Sequence, residues 1–217
     1  IYLLVLNLPR SFTTSVSKQF EIISLILIRR IFADIPKVDL SADWFSTKEN
    51  LELIYNILGV LILYYLIFLF NKARHKLEKK PLTEIISKFV TSKKGVSLVL
   101  LFVLIVLSFT SADNWGKELL LNDSSGDINS VFYNEFFSVL ILADVLILLL
   151  SFQYTERYSQ IVRNTGFIIS TVLIRLSFGV TGLANISLVV SSVVFGLIIL
   201  WVYNLTEKER RRRTNII

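Results

Sequence analysis

The chain has no cysteine and no methionine among its 217 residues, a single histidine, three prolines and eight glycines. Without cysteine there can be no disulfide, no thiolate metal site and no cysteine nucleophile. His75 stands alone among lysines, so neither a histidine metal site nor a catalytic triad can be assembled. No G-x-S-x-G, P-loop or H-E-x-x-H spacing occurs. A pair of catalytic acids at membrane depth fails as well: Asp144 has no acidic mate except Asp34, which sits near a helix end. Enzyme is therefore the least supported class, and no cofactor or metal is expected. The scarcity of glycine and proline argues against several broken helices inside a membrane. A chain without methionine that begins at Ile1 is read as a processed or shortened form of a longer one.

What the chain does contain is apolar sequence. Hydrophobic residues make up 53% and charged residues only 18%, with a mean hydropathy of +0.64, against about 45–50% apolar residues in soluble domains. The charges fall in clusters between apolar runs about as long as a bilayer is thick. The pattern predicts an all-α fold: a polytopic transmembrane helix bundle forming one membrane domain over 1–217. Its spans are expected at 51–70, 96–111, 131–152, 166–180 and 183–205, with a sixth at 20–35 and a short apolar helix at 1–8. Pro36 closes the 20–35 segment, because proline removes a donor and disfavours helix just before it.

The net charge of +6 would suggest nucleic acid in a soluble protein. Here its position gives a different reading, since cytoplasmic loops collect Lys and Arg. The 71–95 loop carries Lys72, Arg74, Lys76, Lys79, Lys80, Lys88, Lys93 and Lys94, whereas 112–130 carries Lys117 beside Asp113, Glu118, Asp123 and Asp127. The first loop is placed inside and the second outside, which puts the tail, with Arg210 to Arg213, in the cytoplasm. No nucleic-acid partner is needed.

Within the inner loop, Leu82, Ile85, Ile86, Phe89 and Val90 recur at helical spacing. This predicts an amphipathic cytoplasmic surface helix, with Lys79, Lys80, Lys88, Lys93 and Lys94 facing lipid headgroups, each contributing roughly 1 kcal/mol near anionic lipid. The expected partners are the bilayer and its anionic headgroups, with a homo-oligomer or a larger membrane complex as the assembly. Asn122-Asp-Ser124 matches the glycosylation sequon, a short and frequent pattern.

Ionisable residues inside apolar helices are costly and point to function. Asp144 and Arg175 lie on consecutive spans, both roughly 12–14 Å from the cytoplasmic ends at 1.5 Å per residue, and are expected to form an intramembrane charge pair. Asp144→Arg and Arg175→Asp should each destabilise the protein by several kcal/mol, and the double reversal should recover folded yield; a double no better than the singles would refute the pairing. Arg29, Arg30 and Asp34 are expected to line a pathway or packing seam, making the interior net positive. The leading expectation is an ion channel or small-solute transporter module. The second is a non-transporting anchor or scaffold subunit.

Overall fold

The computed structural model describes residues 2–38, 47–75, 84–121, 128–155, 157–180 and 182–214. These residues form helices α1 (Tyr2–Asn7), α2 (Phe12–Asp34), α3 (Lys48–His75), α4 (Glu84–Leu121), α5 (Ile128–Gln153), α6 (Tyr158–Ser177) and α7 (Gly182–Thr214). A 3-10 turn, Ile35–Lys37, follows α2 and carries Pro36. Among the described residues there is no strand. Ser11 caps α2 by accepting a hydrogen bond from the Thr14 amide at 3.4 Å, and Pro36 stops it from extending.

Four helices are long and apolar enough to cross a membrane, over Asn50–His75, Ser87–Asp113, Glu135–Gln153 and Gly182–Arg213. That is fewer than the five or six expected. The segments at 20–35 and 166–180 belong to α2 and α6, which at 23 and 20 residues are long enough at 1.5 Å per residue. They fall short on polarity. Both carry charges together with Ser, Thr, Asn and Gln, and many of these polar residues are turned inward: Thr13, Ser15, Ser17 and Gln19 on α2, Asn164, Ser170, Thr171 and Ser177 on α6. An average along the sequence cannot register that inversion.

The chain forms two compact units. The first comprises residues 1–10 and 82–154, hence α1, α4 and α5. α4 runs unbroken for 38 residues, about 57 Å, which corrects the expectation of a separate surface helix: the amphipathic segment continues into the apolar span. Gly95 is the poorest helix former between them, and one glycine costs only about 1 kcal/mol. Lys79 and Lys80 lie outside the described residues, and Lys88 and Lys94 are exposed. Lys93 is not lipid-facing. It is 2% exposed, donating to the Arg10 carbonyl at 2.9 Å and lying 5.1 Å from the Phe89 ring centroid. Four residues further on, Ser97 donates to the Val5 carbonyl at 2.8 Å. The face through Phe89, Lys93 and Ser97 is thus the one that the α1 segment covers, a continuation of the apolar stripe by helical spacing.

The second unit comprises residues 11–81 and 155–217, hence α2, α3, α6 and α7. Ser17 reaches Asn71 at 2.6 Å, and Asn56 reaches Asp34 at 3.1 Å, so α2 and α3 run antiparallel. α6 and α7 form a second antiparallel pair, joined where Ser170 donates to the Ser192 carbonyl at 2.7 Å and Asn185 to the Ser177 carbonyl. α3 and α7 are parallel: Gly59 meets Ile186, and Asn204 donates to the Ala73 carbonyl at 3.2 Å. The shared core is apolar. Phe20, Phe70 and Phe167, one from each of three helices, form an aromatic layer with centroids 5.1 and 5.8 Å apart, and Phe20 lies against Gly196 of the fourth.

The outward faces invert the usual arrangement. Leu58, Leu61, Tyr64, Tyr65 and Phe68 on α3, and Trp201 and Leu205 on α7, are exposed. Apolar faces of this kind are unusual on a soluble monomer and are suited to lipid. The fold is consistent with a multi-pass membrane protein.

Candidate functional site

The most unusual chemistry lies on the seam between α2 and α6. Successive turns of α6 bury Asn164, Phe167 and Ile168, Thr171, then Ile174 and Arg175, while Val162, Ile169 and Leu176 face outward. Arg175 is 4% exposed, and its Nη2 donates to Gln19 Oε1 of α2 at 3.1 Å. Gln19 in turn donates from Nε2 to Ser15 Oγ at 3.5 Å, the weak end of hydrogen bonding. A cationic donor to a neutral amide is a charge-assisted bond, and such bonds contribute about 1.5–3 kcal/mol. Ser15 and Gln19 share one face of α2, four residues apart.

Arg175 was legible in the sequence as a charge in an apolar helix, and the structure buries it in the last turn of α6. Gln19 was not. It sits just ahead of the apolar run that begins at Phe20, and the only trace of its role is the Ser15–Gln19 spacing. Asp144 is 1% exposed, on the face of α5 that also buries Leu140, Ala143 and Ile147. It belongs to the first unit and Arg175 to the second, so their expected pairing stands on the sequence.

The remaining charges expected to line a pathway divide. Arg29 is exposed on the side of α2 opposite Phe20, which corrects the expectation that it makes the interior positive, whereas Arg30 is half-buried on the face that also carries Ile23 and Leu27. Asp34 does turn toward α3, accepting from Asn56. At the other end of the α2–α3 pair, Glu21 accepts from Lys18 and, at 3.4 Å, from Asn71.

At that same end the start of α6 packs on the end of α7. The Arg163 guanidinium lies 4.4 Å from the Tyr203 ring centroid, and its Nε and Nη2 both donate to Asn164 Oδ1, at 3.3 and 3.0 Å. Burial pushes the Arg163 guanidinium below its ordinary value, while Tyr203 and Glu207 act in the opposite sense. An arginine stays charged through such a shift. Glu207, whose side chain is 12% exposed, sits between Arg157 at 3.7 Å and Arg210 at 3.2 Å.

Among the described residues no group of three metal-ligating side chains comes together. The Asn122-Asp-Ser124 sequon lies outside the described residues. No protein-family model, no curated protein and no solved structure matches this chain.

Proposed function

We propose that the protein is an ion channel or small-solute transporter module whose working site is the α2–α6 seam at Arg175. The observation that carries this reading is the Arg175–Gln19 bond, in which a guanidinium in the last turn of α6 is buried and donates to an amide of α2, on a helix whose outer face is apolar. A buried charge is expensive, and packing alone can be had from cheaper residues. In this reading α2 and α6 also cross the bilayer, giving six spans, because the residues that depress their hydropathy face inward. The end bearing Lys72, Arg74, Arg163 and Arg211 to Arg213 lies on the cytoplasmic side together with the C-terminus.

The test is flux through purified protein in liposomes, driven in turn by potassium, sodium, chloride and proton gradients. The unchanged protein should conduct at least one of them, and Arg175→Gln, which keeps hydrogen-bond donors but removes the charge, should lower that flux at least tenfold with an unaltered elution profile. An Arg175→Gln variant that conducts normally would exclude the seam as the working site.

A second reading has its own support. The Phe20, Phe70 and Phe167 layer fills the middle of the second unit, and Gly59 and Gly166 are already occupied by Ile186 and Ile199. Close packing of that kind suits an anchor or scaffold subunit of a larger complex. In that case the protein conducts nothing alone and co-purifies with partners.

A further inference from the structure

The chain passes between its two units at 10/11, 81/82 and 154/155, and the described residues beside those crossings gather at one end of each unit. In the first unit, Lys93 of α4 donates to the Arg10 carbonyl at 2.9 Å, and the Tyr154 ring, just past α5, lies 5.4 Å from the ring of Phe89, one turn before Lys93. In the second unit, Ser17 near the start of α2 donates to Asn71 near the end of α3, the Ala73 carbonyl accepts from Asn204 of α7, and Arg157, just ahead of α6, lies 3.7 Å from Glu207 of the same α7. The other end of each unit carries no crossing. It lies about 28 Å away, measured along α4 from Thr91 to Thr110 and along α7 from Thr206 to Ser187.

Two of the crossings are short and anchored on both sides. Arg10 is held by Lys93, and Ser11, the next residue, caps α2 through the Thr14 amide. Tyr154 is held by Phe89 and Arg157 by Glu207, with two residues between them. Backbone rotation is therefore confined to the steps between those anchors. A single attachment permits swivelling in every direction, whereas two define an axis. Helices surrounded by lipid gain nothing by hiding apolar surface from one another, so the ends without a covalent tie are the ones that part.

We infer that the two units are hinged, turning about an axis through the Arg10–Ser11 junction and the step from Tyr154 to Arg157, with Lys93 and Glu207 as the anchors that keep the axis in place. Hinges are built in this way, from a few residues at element ends that absorb the dihedral change. A rotation of about 10° moves a group about 28 Å from the axis by about 5 Å. The inference rests on the path of the chain and not on transport, so a protein that conducts nothing leaves it intact.

The experiment is double electron–electron resonance on the full chain in lipid nanodiscs, with spin labels on introduced pairs of cysteines; the chain has no cysteine of its own to give background. Thr91, Thr110, Ser187 and Thr206 are all exposed. Thr91→Cys with Thr110→Cys, both on α4, sets the width of a rigid pair. Thr91→Cys with Thr206→Cys, beside the axis in each unit, should be nearly as narrow, whereas Thr110→Cys with Ser187→Cys, far from it, should give a distance distribution roughly twice as wide or more. Lys93→Met keeps the aliphatic stem and removes the donor to Arg10, and should widen the Thr91 and Thr206 pair. Equally narrow distributions would mean one rigid body, and equally wide ones two units without an axis; either would overturn the hinge. So would a Lys93→Met chain in which the Thr91 and Thr206 pair stays as narrow as before.

Discussion

Replacing Phe70 with alanine should unfold the second unit at markedly lower detergent stress than the unchanged protein tolerates, a loss of about 3 kcal/mol. Phe70 is fully enclosed, with Phe20 edge-on at 5.1 Å and Phe167 tilted at 5.8 Å. Removing the ring deletes both aromatic contacts, each of which contributes about 0.5–1.5 kcal/mol, and leaves a cavity among three helices. In lipid the unfolded helices remain in hydrocarbon, so transfer from water adds little and the lost packing supplies the cost. Phe70→Leu fills part of the space and should lose less than half as much. The measurement is the midpoint of an SDS titration in mixed micelles followed by circular dichroism; equal midpoints for Phe70→Ala and the unchanged protein would show that the layer contributes nothing.

Gly166→Val should be the most damaging change on α6. A Cβ at this position would lie 2.7, 2.9 and 2.9 Å from three atoms of the Ile199 side chain. These surround it from one β-branched residue with little rotamer freedom, so the helices must separate. Overpacking of this kind costs about 1–3 kcal/mol, and here the whole α6–α7 pair would shift, with the Ser170 bond to Ser192 stretched. Adding Ile199→Ala should restore much of the loss, because the two sites share one space. Gly95→Ala is the matching control. Nothing lies within 4 Å of its added methyl, and alanine in a helix interior should raise stability by about 0.5–1 kcal/mol. If Gly166→Val were as harmless as Gly95→Ala in the same titration, α6 and α7 would not be in the close contact described.

The sequence made the helices with uniformly apolar faces easy to read. The 51–70, 131–152 and 183–205 segments lie inside α3, α5 and α7, because nearly every residue in them reports the same environment. α2 and α6 were legible only in part, at 20–35 and 166–180, for the opposite reason. Ser15, Ser17 and Gln19 read as the approach to a helix starting near Phe20, since nothing local shows that Asn71 and Arg175 will satisfy them. Lys93 misled similarly: its charge suggested headgroups, while its position four residues after Phe89 placed it under α1. Arg29 shows the limit of depth arithmetic, which fixes how far along a helix a charge lies and not which way it points. Gln19 and the Arg163–Tyr203 stack depend on contacts between residues far apart in the chain, and no single-sequence pattern encodes those.

The uninterrupted α4 has a mechanical consequence. Its charge-free stretch, 95–112, holds 18 residues, about 27 Å along the helix axis, close to the roughly 30 Å of a typical hydrocarbon core. The remainder of the 38-residue helix therefore projects beyond any hydrocarbon layer that the stretch fills. Of the four membrane-competent helices it is also the least covered by protein, so little besides its own ends would hold it at one depth. Lys88 and Lys94, exposed ahead of the stretch, and Asp113 just after it act as stops at either side, so that in a bilayer α4 is free to lean or turn but not to slide.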